Sequence, residues 1–235
     1  IATIGAYSGA AQSRFAGFFD QLLPLLVAGL DGSQARKVQC RAVEALSLVL
    51  LAVKGVASIQ TSLNNCIPGF LQHLKSLEES LHTAPADDPM REFLSEAWLR
   101  MARLMGPDFA VCLPIILPGL INCAGSEIKM VELPENDEEE NENFIPAARV
   151  NGRNVGINTS SLSEKAAALE SLAAIISAVG PGAFPEAERV FTISTGLVNF
   201  EWSGDVRSAA VEASTASLEC LGYPDGACEA LISAI

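Results

Sequence analysis

The sequence predicts an all-α chain built as a series of antiparallel helix pairs. Three observations carry that expectation. Strand-like alternation is nearly absent, whereas Ala- and Leu-rich segments with apolar residues three and four apart dominate. Hydrophobic residues make up 49% of the 235 and charged residues 18%, a composition that supports a packed core and excludes disorder as the general state. Proline and glycine also punctuate the segments in a recurring order, with proline inside first helices and glycine closing second ones.

The elements follow in order. Phe15–Leu30 reads as a helix containing Pro24, and Asp31-Gly32-Ser33 as a turn. Ala35–Val53 reads as its partner, ended by Gly55. Ile59–Leu81 reads as helical with an interruption around Pro68. A polar loop with Pro85, Asp87, Asp88 and Pro89 leads into Met90–Met105, ended by Gly106. Phe109–Asn122, with Pro114 and Pro118, precedes a long polar stretch over Cys123–Ser160. Leu162–Val179 ends at Gly180-Pro181, and Phe184–Asn199 with Asp205–Leu221 forms the last full pair.

Aligned on Gly55, Gly106, Gly180 and Gly222, the second helices step by 51, 74 and 42 residues. Without about 30 residues of polar insertion the middle step falls near 44, inside the 40–47 range of HEAT and armadillo repeats. The expected fold is therefore an all-α HEAT-repeat α-solenoid, a right-handed superhelix of helix pairs each touching its neighbours. The repeats fall at about 10–57, 58–107, 108–181 and 182–222, with a partial one at 223–235 and an acidic loop insertion at 124–160, in a single array over 1–235. An irregular helical bundle is the plainer alternative; the repeated Pro and Gly positions favour the solenoid.

Second helices are two-faced. In the last one, Asp205, Ser208, Glu212, Thr215 and Glu219 form a polar stripe opposite Val206, Ala209, Ala210, Ala213 and Leu221. In Met90–Met105, Phe93, Leu94, Ala97, Met101 and Leu104 form the expected buried side, with Glu92, Glu96, Arg100 and Arg103 as a polar ridge. Solenoids bind along such ridges, although for any single residue a solvated face is the simpler reading.

Fifteen basic and 28 acidic residues give a net charge of −13, which disfavours direct nucleic-acid binding and suits basic protein partners. Mean hydropathy is positive, +0.30. The longest apolar runs, Ala45–Val53 and Val111–Ile121, are too short for membrane insertion. No secretory signal is visible, and a first residue of Ile leads us to expect a piece of something longer. Cys40, Cys66, Cys112, Cys123, Cys220 and Cys228 are scattered among apolar runs without a C-x-x-C pair, so free thiols in a reducing compartment are expected. With only His73 and His82, no Gly-rich phosphate loop, no G-x-S-x-G and no H-E-x-x-H, no enzyme, metal or cofactor is expected.

Glu127–Glu142 holds eight carboxylates and one lysine, a net −7. Its core, Glu135–Asn143, lacks apolar residues and is expected to be mobile, because burial cannot offset its ordering. Next, Arg149–Val155 places Asn151-Gly152 between β-compatible residues, a type I′ hairpin signal. One of Ser160, Ser161 and Ser163 is expected to cap the following helix. The partner-binding candidates are Glu135, Asp137, Glu138, Glu139, Glu140 and Glu142, with Glu164, Asp205, Glu212 and Glu219 on the helices.

Several motifs in order then resemble the importin-β (karyopherin-β) nuclear transport receptors, in particular the importin-five type. They are Ala97-Trp98, Gly106, Leu113-Pro114, the acidic stretch, Gly156-Ile157 and Glu164-Lys165. The likeness runs weakly from Ile1-Ala2 to about Leu221; across Asp20–Leu63 only the helix pattern is kept. The resemblance implies a HEAT superhelix that shuttles between cytoplasm and nucleus and releases cargo on binding Ran-GTP. Its implied partners are cargo proteins with basic signals, Ran-GTP and nucleoporins. The family's Ran-binding amino-terminal repeats are not among these residues. The alternative is a HEAT scaffold subunit of a multiprotein complex without Ran dependence.

Overall fold

The computed structural model describes residues 3, 7, 12–81, 83–85, 88–128, 130–132, 144–150, 153–223, 226 and 229. The helices are α1 (Phe19–Gly29), α2 (Arg36–Ala52), α3 (Gln60–Leu81), α4 (Met90–Met105), α5 (Leu113–Gly125), α6 (Thr159–Val179), α7 (Phe184–Thr195) and α8 (Gly204–Leu221). Three strands lie between α5 and α6: β1 (Met130–Glu132), β2 (Phe144–Val150) and β3 (Arg153–Asn158). The chain forms two compact units, Ile1–Phe109 and Ala110–Ile235.

In the first unit α1 lies on α2, α3 on α4, and the second helices α2 and α4 pack along each other. Large side chains fill its core: Phe15, Phe19, Phe70, Trp98 and Phe109 are all buried. Trp98 meets Phe109 edge-on at 6.1 Å and donates its indole N–H to Glu78 Oε2 at 3.0 Å. The burial expected of Trp98 therefore holds. Phe93 instead stays half-exposed, because its ring supports the Arg41 guanidinium, 5.0 Å from the centroid.

Several helix boundaries differ from expectation; α5 starts at Leu113 after a 3-10 turn and α7 stops at Thr195. Residues Gln12–Phe18 wind as a 3-10 helix before α1 begins. α3 runs unbroken through Pro68. A proline removes one amide donor, and Pro68 sits on the exposed side, while Leu63, Phe70, Leu74, Leu77 and Leu81 form one buried stripe across the break. The loop after α3 is tied back by Asp88, which takes the Arg36 guanidinium on both oxygens (2.7 and 3.1 Å) and accepts from the Met90 N–H at 2.8 Å.

In the second unit α5 packs on α6, α7 on α8, α5 on α7, and α6 along α8. The core is made of smaller side chains, including Ala168, Leu169, Leu172, Ile176, Ala210 and Ala213. Ser194 and Ser214, both buried, share a hydrogen bond of 2.8 Å between α7 and α8. The closing glycines repeat in detail. Gly106 and Gly180 adopt nearly the same positive-φ backbone (60°, −130° and 62°, −138°), each before a proline and a 3-10 turn. An L-residue with a Cβ rarely adopts this conformation, which explains glycine at both places.

The insertion is more ordered than a plain loop. α5 continues to Gly125, and the three strands form an antiparallel sheet in the order β1-β3-β2. β1, with three residues beside a run of charge, is too short to register as a periodic signal. Val150 pairs with Arg153; the hairpin tip expected at Asn151-Gly152 lies outside the described residues. Pro146 falls in edge strand β2, next to a register shift, where a missing donor is tolerated. The mobility expected of Glu135–Asn143 also concerns residues outside the described set. Asn158, rather than a serine, caps α6; its Oδ1 accepts from the Ser160 N–H at 2.8 Å, because the helix already begins at Thr159, ahead of the serine run.

Counted through their 3-10 turns, Met90–Gly125 and Thr159–Thr195 are long and apolar enough to cross a membrane, longer than the apolar runs in the sequence suggested. Each is nevertheless two helices joined at Gly106 or Gly180, with apolar residues contributing to the cores just described. Cys40, Cys66, Cys123 and Cys220 are free thiols, and burial pushes each of them up.

Candidate functional site

The polar stripe expected on α8 is present. Asp205, Ser208, Glu212, Thr215 and Glu219 are all exposed, while Val206, Ala209, Ala210 and Ala213 are buried; Leu221 is half-exposed. Two turns of helix separate Asp205 from Glu212 and Glu212 from Glu219, about 10.5 Å each. Ser203 starts the helix by accepting from the Val206 N–H at 3.3 Å.

Glu212 and Glu219 line a groove of about 390 Å³ between α6 and α8. Glu170 supplies a third carboxylate from the α6 side. Ala173, Ala174 and Ser177 on α6 face Val211, Thr215 and Ala216 on α8 across it. Small side chains let the helices approach, so carboxylates from two helices converge over a shallow floor. Sequence reasoning missed Glu170. Extending the same three-to-four spacing along α6 finds it, since Glu170, Ala173, Ala174 and Ser177 form one stripe.

The other candidates are not gathered here. Asp205 is exposed in the first turn of α8, outside the groove, and Glu164 is exposed near the start of α6, also outside it. Glu135, Asp137, Glu138, Glu139, Glu140 and Glu142 lie outside the described residues.

Lys165 positions α6. It is 3% exposed, and its ammonium donates to the carbonyls of Ala124 and Ser126 at the end of α5. Those carbonyls lack partners within α5, so a buried cation closes the helix end. Burial pushes the Lys165 ammonium below its ordinary value. Beside it, the Cys123 thiol donates to the Glu164 carbonyl at 3.6 Å.

The equivalent seam of the first unit carries charges of both signs, paired with one another. Along α2 and α4, Arg100 donates to Ser47 Oγ at 3.2 Å and pairs with Glu96 at 3.0 Å; Arg41 pairs with Glu44 at 2.7 Å; Lys54 donates to the Arg103 carbonyl at 2.7 Å. The first unit holds nine basic and ten acidic residues, the second six and eighteen, so nearly all of the chain's −13 belongs to the second. No cluster of His, Cys, Asp or Glu suited to a metal occurs among the described residues.

No family model matches the sequence. Importin subunit beta-3 of Saccharomyces cerevisiae is 29% identical over 179 residues, covering 73% of this chain and 16% of that protein. An importin-5 homologue of Dictyostelium discoideum is 27% identical over 201 residues, covering 84% of this chain and 17% of its own length. The chain thus spans about a sixth of the curated relatives it matches. Solved structures agree in fold. Kap121p bound to Pho4p superposes with a TM-score of 0.80 at 24% identity, over 99% of this chain and 21% of Kap121p. Kap121p bound to Nup53p gives 0.79. The helix pairs are those of a HEAT-repeat solenoid, and in sequence the chain is similar to importins of the importin-β (karyopherin) type.

Proposed function

We propose that this segment serves a nuclear import receptor by holding basic stretches of cargo proteins against the acidic seam of α6 and α8. The observation that carries the reading is the convergence of Glu170, Glu212 and Glu219 over a floor of small side chains, in the unit that holds nearly all of the net charge. Cationic side chains enter such a field quickly and are held by several carboxylates at once. The solved relatives support a carrier role: Kap121p is bound to Pho4p, to Ste12p and to the SUMO protease Ulp1p. The Nup53p complex supports nucleoporin contact by such a receptor. Shuttling between cytoplasm and nucleus follows from the same reading. The acidic insertion adds a polyanion that competes with cargo or touches the basic surface of Ran-GTP.

The test is charge reversal in the full-length receptor. Glu170→Lys, Glu212→Lys and Glu219→Lys together should weaken binding of a Lys-rich cargo peptide at least tenfold and reduce its import in permeabilised cells. The melting temperature should hold, because exposed charges add little to folding. Wild-type affinity in the triple variant removes this groove from cargo binding.

A further inference from the structure

The first unit contains a second concavity that the cargo reading does not use. α1 and α3 enclose a groove of about 720 Å³ with Leu46 of α2 among its lining residues. That is the size of a ligand-binding cleft. Leu23 and Val27 of α1, Leu30 at its C-cap and Phe70 of α3 make its walls apolar, and Val27 remains 49% exposed.

Two polar features show what would fill it. His73 lines the groove, and its Nε2 is buried without a hydrogen-bond partner. Burial holds this imidazole below its ordinary value, so it is neutral at pH 7, with one nitrogen unsatisfied. A peptide group satisfies such an atom, whereas an aliphatic chain does not. Asp20 opens α1 and Asp31 follows its end, both exposed and both lining the groove. Among the described residues neither is in an ion pair. The Ser33 hydroxyl and N–H hold the Asp31 carboxyl below the usual range, so it stays ionised. The two aspartates are eleven positions apart along α1 and its C-cap, about 16 Å at helical rise, the reach of about five residues of extended chain.

We propose that the α1–α3 groove docks an extended protein segment that presents an aliphatic side chain between two cationic residues about five positions apart. The aliphatic group covers the Leu23, Val27 and Phe70 walls, the cations meet Asp20 and Asp31, and a backbone group meets His73. This site shares no residue with the α6–α8 groove, so either proposal can fail alone.

The probe is a fluorescently labelled peptide, GSKSLSSKSG, titrated against the 235-residue chain by anisotropy at low and high salt. Two variants test the site. Gly69→Leu plugs the groove: a Cβ at Gly69 meets nothing within 4 Å, and leucine favours helix over glycine, so the fold is kept. Asp20→Asn with Asp31→Asn removes the charge and keeps the Ser33 hydrogen bonds. Saturable binding below 1 mM is expected. It should weaken at least tenfold in Gly69→Leu and at least fivefold in the double Asn variant, and the latter should lose most of its salt dependence. A melting curve checks each variant. Unchanged affinity in either variant, equal binding of a peptide with serine in place of leucine, or no saturation below 1 mM overturns the proposal.

Discussion

The two units build one kind of helix pair from different materials. Among the described residues, every fully buried aromatic ring belongs to the first unit, including Phe70, Trp98 and Phe109. The core of the second unit is aliphatic, with many alanines and the buried serines Ser194, Ser214 and Ser217. Their second-helix seams differ as well: Arg41 and Arg100 on α2 and α4 are paired with Glu44 and Glu96, whereas Glu170, Glu212 and Glu219 gather along α6 and α8. The architecture therefore depends on the spacing of apolar positions and not on their size. Size sets how closely helices approach, and the residues left outside set which partner is attracted.

The largest effect that can break this comparison is in the aromatic core. Trp98→Ala should cost about 3–5 kcal/mol, since it leaves a large void and strips Glu78 of the indole N–H. Phe93→Ala should cost clearly less, because that ring is only half-buried. Denaturant unfolding measures both; equal losses would mean that Phe93 packs as deeply as Trp98.

A middle-sized effect is expected at Asp88, the tie between α2 and α4. Asp88→Asn should cost about 1 kcal/mol. The Arg36 guanidinium holds the Asp88 carboxyl below the usual range, with help from the Met90 N–H, while slight burial opposes both. With a folded pKa depressed, the carboxylate's contribution is complete above its unfolded value of about 3.9 and is lost as pH falls through the folded one. The stability gap between wild type and variant should thus be constant from pH 7 to 5 and shrink toward pH 2.5. A gap that does not change with pH would assign the tie to neutral hydrogen bonds alone.

In the small-residue core, Ser214→Ala should cost about 1 kcal/mol by removing the partner of Ser194 Oγ. A change near zero in the melting temperature would show that the Ser194 bond to the Phe191 carbonyl is enough. The smallest effect on folding is expected in the insertion. Converting Glu138, Glu139, Glu140 and Glu142 to Gln should leave stability within about 0.5 kcal/mol, as solvated charges contribute little. Stopped-flow association with a basic cargo should nevertheless slow at low salt and converge with wild type at high salt. Equal rates at low salt would confine recognition to the helical groove.

Sequence alone determined the helices, the glycines that end them and the stripe of Asp205, Glu212 and Glu219, because each is a local pattern repeated every turn or every forty-odd residues. The motif order from Ala97-Trp98 to Glu164-Lys165 was enough for the family likeness. Long-range contact was decided only by tertiary structure. Glu170 joins Glu212 and Glu219 across 42 residues because alanine and serine let α6 and α8 come close. Lys165 caps α5 from 41 residues away, and β1 finds β3 across the acidic run. The α1–α3 groove likewise depends on how far apart two helices settle. Periodicity along one helix specifies which side is buried; the distance to the next helix follows from how side chains from both interlock, and no local spacing encodes it.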